Sequence, residues 1–157
     1  WDIREDGEIV GVTIEMDAQG VVNEASQHWV GFPSGTKVGH VHLKIADLQK
    51  TEDFYTDVLG LSLKNNYGMQ AKFFATGGYH HHIGSNIWMG RNIPAMAEND
   101  LGLAYYSFYV NKEDELSQLA NHWENLGVSF VKDGDESLWI VDPNGIQIKF
   151  EQEPKTN

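Results

Sequence analysis

Apolar and polar positions are weakly ordered before residue 37 and sharply ordered after it. In the leading stretch, "EIVGVTIEMD" predicts one strand and "AQGVVNEASQHW" a short helix. "VGFPSGTKVG" is punctuated by Pro and Gly and predicts a loop. Residues 1–37 therefore read as a connector. From Gly39 onward the period changes. "HVHLKI" alternates as a half-buried strand does, and Asp47 offers an N-cap. Leu48, Thr51, Tyr55, Val58 and Leu59 follow at helical spacing until Gly60 stops the helix. "LSLKNN", "AKFFATG" and "HHIGSNIW" predict three strands, giving β-α-β-β-β over residues 38–90.

The plan then repeats over residues 101–152. "YYSFYV" predicts a strand, and Asn111 is placed to cap a helix. Leu116, Leu119, Ala120, Trp123 and Leu126 mark that helix's apolar face, and Gly127 its stop. "VSFVKD", "SLWIVD" and "IQIKFE" predict three more strands. "LGLSL" at 59–63 matches "LGVSF" at 126–130 at an offset of 67. That offset also lays "HHHI" (80–83) over "QIKF" (147–150), whereas the first strands differ by 65. A shared register of this kind predicts internal duplication. The expected fold is α+β: paired βαβββ modules forming a curved mixed sheet around a cleft, helices outside, the two modules making one domain. Helices 48–58 and 111–126 are expected outside, and Trp88 and Trp139 in the core.

Composition narrows the function classes. A 41% hydrophobic content over 157 residues suffices for a packed core. With no Cys, disulfides, thiolate ligands and Cys nucleophiles are excluded. The net charge of −12 repels phosphate backbones, so nucleic acid is not expected as a partner. No apolar run reaches the ~20 residues of a membrane span, so no membrane partner is expected and a cytoplasmic location is. The chain opens on Trp1 without an initiator Met, as expected of a processed chain or excised fragment.

Histidine carries the candidate chemistry. "GGYHHHIGSNIW" places His80, His81 and His82 in a row, and "GHVHLKI" holds His40 and His42. Along a strand, His80 and His82 would share a face and His81 would point the other way. "DPNG" at 142–145 reads as a tight turn without chemistry of its own.

Paired βαβββ units, "GHVHLKIADLQKTEDFYTDVLGL" at 39–61 and "DPNGIQIKF" at 142–150 resemble the vicinal oxygen chelate superfamily. That superfamily includes glyoxalase I, extradiol ring-cleaving dioxygenases and bleomycin-resistance proteins. With "GGYHHHIGSNIW" and "WVGFPSGTKVG", the chain looks most similar to the C-terminal half of catechol 2,3-dioxygenase-like proteins. The resemblance implies four quasi-symmetric ligand positions, on the first and last strand of each module. They fall here on His40, His82, Tyr105 and Lys149. It implies Fe(II) or another divalent metal (Zn, Mn or Ni) held by imidazole and carboxylate. Tyr105 and Lys149 depart from that pattern. A protonated ammonium offers no lone pair, and a free phenol has a pKa of ~10. The metal ligands are then His40 and His82, with Glu151, two residues beyond Lys149, as the nearby carboxylate; the alternative is no metal in this half. His42, His80, Tyr105 and Lys149 would line the cleft.

Three functions follow from the resemblance. The first is part of an extradiol, ring-cleaving oxidoreductase of aromatic catabolism, with this half's metal site partly degenerate. The second is a non-catalytic module binding a small aromatic or phenolic ligand. The third is a glyoxalase-type lyase or isomerase. The resemblance also implies a missing N-terminal half as partner, and exposed apolar surface would favour a homodimer.

Overall fold

The computed structural model describes residues 2–11, 14–26, 28–112 and 114–153. The leading stretch carries a two-stranded ribbon, β1 (Asp2–Ile3) with β2 (Ile9–Val10), and helix α1 (Ala18–Glu24). The single strand expected over "EIVGVTIEMD" is confined to Ile9–Val10; Val12 and Thr13 lie outside the described residues. Asp17 caps α1 by accepting from Gly20 N at 2.8 Å, but α1 buries no residue. The ribbon is anchored where Asn65 Nδ2 donates to Ile9 O at 2.6 Å.

Two four-stranded sheets follow. The first holds β3 (Val41–Lys44), β4 (Ser62–Tyr67), β5 (Ala71–Ala75) and β6 (Ile83–Asn86) in the order β3-β6-β5-β4. The second holds β7 (Tyr105–Val110), β8 (Val131–Asp133), β9 (Ser137–Val141) and β10 (Gln147–Gln152) in the order β7-β10-β9-β8. In each sheet the first strand runs parallel to the last and the other pairings are antiparallel. A parallel pairing needs a crossover, and the helices supply it.

Asp47 caps α2 (Leu48–Asp53) as expected, accepting from Gln49 N and Lys50 N at 2.8 and 2.9 Å. The helix does not continue regularly to residue 58. Phe54–Val58 widens into a π-turn, with Leu59 N bonded to Phe54 O, and ends at Gly60, whose φ of +75° suits glycine. Helix α3 spans Glu115–Leu126 and ends at Gly127, φ +69°. Its start corrects the assignment to Asn111. Glu115 reaches back, its Oε2 accepting from Asn111 N and Lys112 N at 2.9 and 3.1 Å. A carboxylate in the first turn satisfies these backbone donors where the Asn side chain does not.

Both helices and both sheets enclose one core, including Leu43, Ile45, Tyr55, Phe74, Ile83, Trp123, Ile140, Ile148 and Phe150. Polar bonds stitch the halves together. Trp123 Nε1 donates to Val58 O at 2.8 Å, and His122 Nε2 donates to Asp57 O at 2.9 Å. The turn at 142–145 is a clasp rather than a bare turn. Asn144 Oδ1 accepts from Ala46 N at 3.0 Å, Asn144 O accepts from Met96 N at 2.8 Å, and Asp142 Oδ2 accepts from Tyr55 Oη at 3.2 Å. Tyr55 and Tyr106 hydroxyls lie 2.8 Å apart, and burial is the main cause raising both phenols above their ordinary range.

The ladders revise the register. Val41 lies opposite Ile83 and Tyr106 opposite Ile148, so first and last strands share one offset between the sheets rather than 65 and 67. Tyr105 pairs with Gln147, and Lys149 pairs with Ser107. On the faces turned away from the core, His42, Gly84 and Phe73 form one row of the first sheet, and Ser107, Lys149 and Trp139 form one row of the second.

Candidate functional site

Strand β6 begins at Ile83, so the three consecutive histidines precede it and do not alternate as strand residues. The segment is still pinned: Val41 N donates to His82 O at 3.0 Å and His82 N donates to Phe74 O at 2.8 Å. His40, just ahead of β3, meets His81 with ring centroids 4.5 Å apart and His80 at 6.3 Å. His80 and His81 rings lie 4.3 Å apart. One nitrogen from each of His40, His80 and His81 falls within 4.8 Å of the others, the one such group of three or more His, Asp or Glu among the described residues. His82 stands aside. Its ring stacks on Tyr79 at 4.7 Å and its Nδ1 accepts from Thr76 N at 3.3 Å. Glu151 belongs to no such group.

The electrostatics favour neutral rings. Burial, followed by the charges of His80, His40, His42 and His82, lowers His81 from its ordinary 6.5 to about 4. Burial also lowers His80 and His42, each with His40 as the next cause, and His82 with His80 next. Neutral imidazoles keep a lone pair for a metal or a hydrogen bond.

This sets a pH dependence for the metal-free protein. Between pH 6.5 and about 4 the unfolded chain takes up a proton at position 81 that the folded chain refuses. Stability therefore falls as pH falls through that window. Urea denaturation in chelator at pH 7, 5.5 and 4.5 is expected to show a steeper loss for the parent than for His81→Asn. Equal pH slopes would sink the idea.

His42 occupies a different corner. Its ring stacks on Trp88 at 5.5 Å and meets the edge of Phe73 at 5.9 Å. A Cβ on residue 84 would sit 2.8 Å from His42 Nδ1, so Gly84 is what lets this ring lie across the strand. Trp88 is not core: it is 58% exposed.

On the second sheet, Tyr105 packs its edge against Trp139 at 5.1 Å, and Lys149 Nζ lies 5.6 Å from the Trp139 ring centre. Lys149 Nζ donates to Glu151 Oε2 at 2.6 Å, and that bond raises the ammonium's pKa above its usual value. Lys149 is thus a cation over an indole, and Trp139 is a surface wall rather than a core side chain. Residue type assigned both tryptophans inward. The ladder pairing of Trp139 with Lys149 puts it on the outer face instead.

Two βαβββ sheets wrapped by helices and lined by polar and aromatic residues define the glyoxalase/dioxygenase class of fold. The profile of the Glyoxalase/Bleomycin resistance protein/Dioxygenase superfamily matches residues 37–150, and the chain belongs to that superfamily. It is similar to a catechol-2,3-dioxygenase of Bacillus subtilis, 40% identical over 153 residues, 96% of this chain. The chain spans about half of that relative's length, 53%. Solved structures share the fold. A glyoxalase/dioxygenase of Nostoc punctiforme superposes with a TM-score of 0.62 at 17% identity, over 83% of this chain and 100% of its own. A lactoylglutathione lyase of Agrobacterium tumefaciens gives 0.58 at 21% identity, over 76% and 96%. No helix of the described residues is long and apolar enough to cross a membrane.

Proposed function

We propose that this chain is one half of an extradiol, catechol 2,3-dioxygenase-type enzyme, and that its own four family positions form a degenerate metal site. The 40% identity to the catechol-2,3-dioxygenase carries the reading. Lys149 supports the second part: an ammonium bonded to Glu151 offers no lone pair and occupies the nearest carboxylate. His82 supports it too, being turned toward Tyr79 and Thr76. In this reading the Tyr105–Trp139–Lys149 face serves a phenolic ring, which indole and phenol walls can stack and an ammonium can orient by its oxygen. Iron, where the family holds it, supplies the redox chemistry; the residues of this face bind and orient.

The test is oxygen uptake by the native full-length protein with Fe(II) and catechol. One O₂ consumed per catechol is expected, with Lys149→Ala raising KM and leaving kcat nearly intact. Absence of uptake with turnover of a hemithioacetal would favour a lyase. Tryptophan-fluorescence binding of catechol without any turnover would favour a non-catalytic binding module. Loss of iron in Lys149→Ala would overturn the degenerate-site part alone.

A further inference from the structure

We propose that His40, His80 and His81 form a divalent-cation site of three imidazoles, a different ligand set from the family's strand positions, suited to Zn(II). Only His40 belongs to both sets. The family positions take one residue from each first and last strand, whereas this group draws two ligands from the segment between β5 and β6.

Geometry carries the proposal. Three ligand nitrogens lie within 4.8 Å of one another. A triangle of that side has its centre about 2.8 Å from each corner, about 0.7 Å more than the ~2.1 Å Zn–N bond. Small side-chain rotations close that gap. The backbone is already in place: the bonds of Val41 N to His82 O and of His82 N to Phe74 O fix the segment against β3 and β5. Aromatic walls limit how far two of the rings turn. Phe73 lies 4.9 Å from His81, and Tyr79 lies 4.4 Å from His80. Such walls reduce the ordering needed on binding.

Ligand chemistry selects the ion. Three imidazoles with no carboxylate suit Zn(II), Ni(II) or Cu(II) and disfavour Mg(II), Ca(II) and Mn(II), which want oxygen. His40 is exposed while His80 and His81 are half-buried, so the site opens to solvent on one side. A tetrahedral ion held there has its fourth position free for water or an anion.

The inference does not rest on the dioxygenase reading, and its test uses no turnover. The protein is stripped with chelator and titrated with ZnCl₂ alone by calorimetry. His40, His80 and His81 are then replaced singly by Ala, with His82→Ala as the comparison. Each of the three is expected to weaken the binding by about 100-fold or more, since even outer-shell partners of a metal are worth about 10–100-fold. His82→Ala is expected to bind as the parent does. Circular dichroism checks each variant's fold. Should His81→Ala not fold, Co(II) ligand-field absorption in the parent against His80→Ala reads the same coordination. Absence of a stoichiometric Zn(II) event overturns the proposal. So does loss of binding in His82→Ala with His80→Ala and His81→Ala unaffected.

Discussion

Replacing Asp142 by Ala is expected to lower stability by about 3–5 kcal/mol, since it leaves several buried donors unsatisfied at about 1–3 kcal/mol each, part of which water recovers. Asp142 Oδ1 accepts from Asn144 N at 2.8 Å and Ile146 N at 2.9 Å, and Oδ2 accepts from Tyr55 Oη and Asn144 Nδ2, both at 3.2 Å. Removing the carboxyl strips the turn that leads into β10 of its internal acceptors. It also releases Asn144, whose side chain and carbonyl hold Ala46 and Met96. Both sheets lose their shared clasp at once. Urea denaturation at neutral pH measures the change through the midpoint at constant slope. A loss under about 1 kcal/mol would show that water replaces the carboxyl and that the clasp is incidental.

Trp123→Ala is the second large effect, expected at about 3–5 kcal/mol. The indole is fully buried, packs at 5.3 and 5.4 Å from Phe130 and Phe150, and donates to Val58 O at 2.8 Å. Packing and hydrogen bond separate by chemistry. Trp123→Phe keeps much of the ring volume but leaves the Val58 carbonyl without its donor, so about 1–2 kcal/mol is expected for it. Matching losses from the two variants, measured by denaturation, would assign nearly everything to the bond between α3 and the π-turn. A negligible loss in both would mean that the core repacks around the gap.

These two residues show how unevenly the sequence disclosed its structure. Trp123 was placed inward by helical spacing with Leu116 and Ala120, and it is inward. Trp139 and Trp88 were placed inward by type alone, and both lie on outer faces beside Lys149 and His42. A strand's alternation reports two faces but not which one the core takes; the ladder with Ile148 and Ile140 decided that for β9 and β10. Asp142 and Asn144 read as turn chemistry, which is local. Their bonds to Tyr55 and Ala46 cross 87 and 98 residues and leave no trace in spacing.

The candidate site divides along the same line. Five histidines in two short motifs marked the region, and the resemblance of "GHVHLKI" put His40 among the candidate ligands. Which histidines meet His40 was not legible. Strand alternation would have paired it with His82; the chain instead stays irregular until Ile83 and brings His80 and His81 to it. The departure at Lys149 was visible in the residue type, but its engagement with Glu151 needed the second sheet's geometry.

By itself, the sequence determined the two βαβββ units, the N-cap at Asp47, the stops at Gly60 and Gly127, and the superfamily, because these depend on residue type and on spacings of a few residues. Tertiary structure decided the shared strand register, the inter-sheet clasp through Asp142 and Asn144, and the grouping of His40 with His80 and His81. Those depend on backbone and side-chain hydrogen bonds between segments some 40 to 100 residues apart, where sums over many contacts outweigh any local preference.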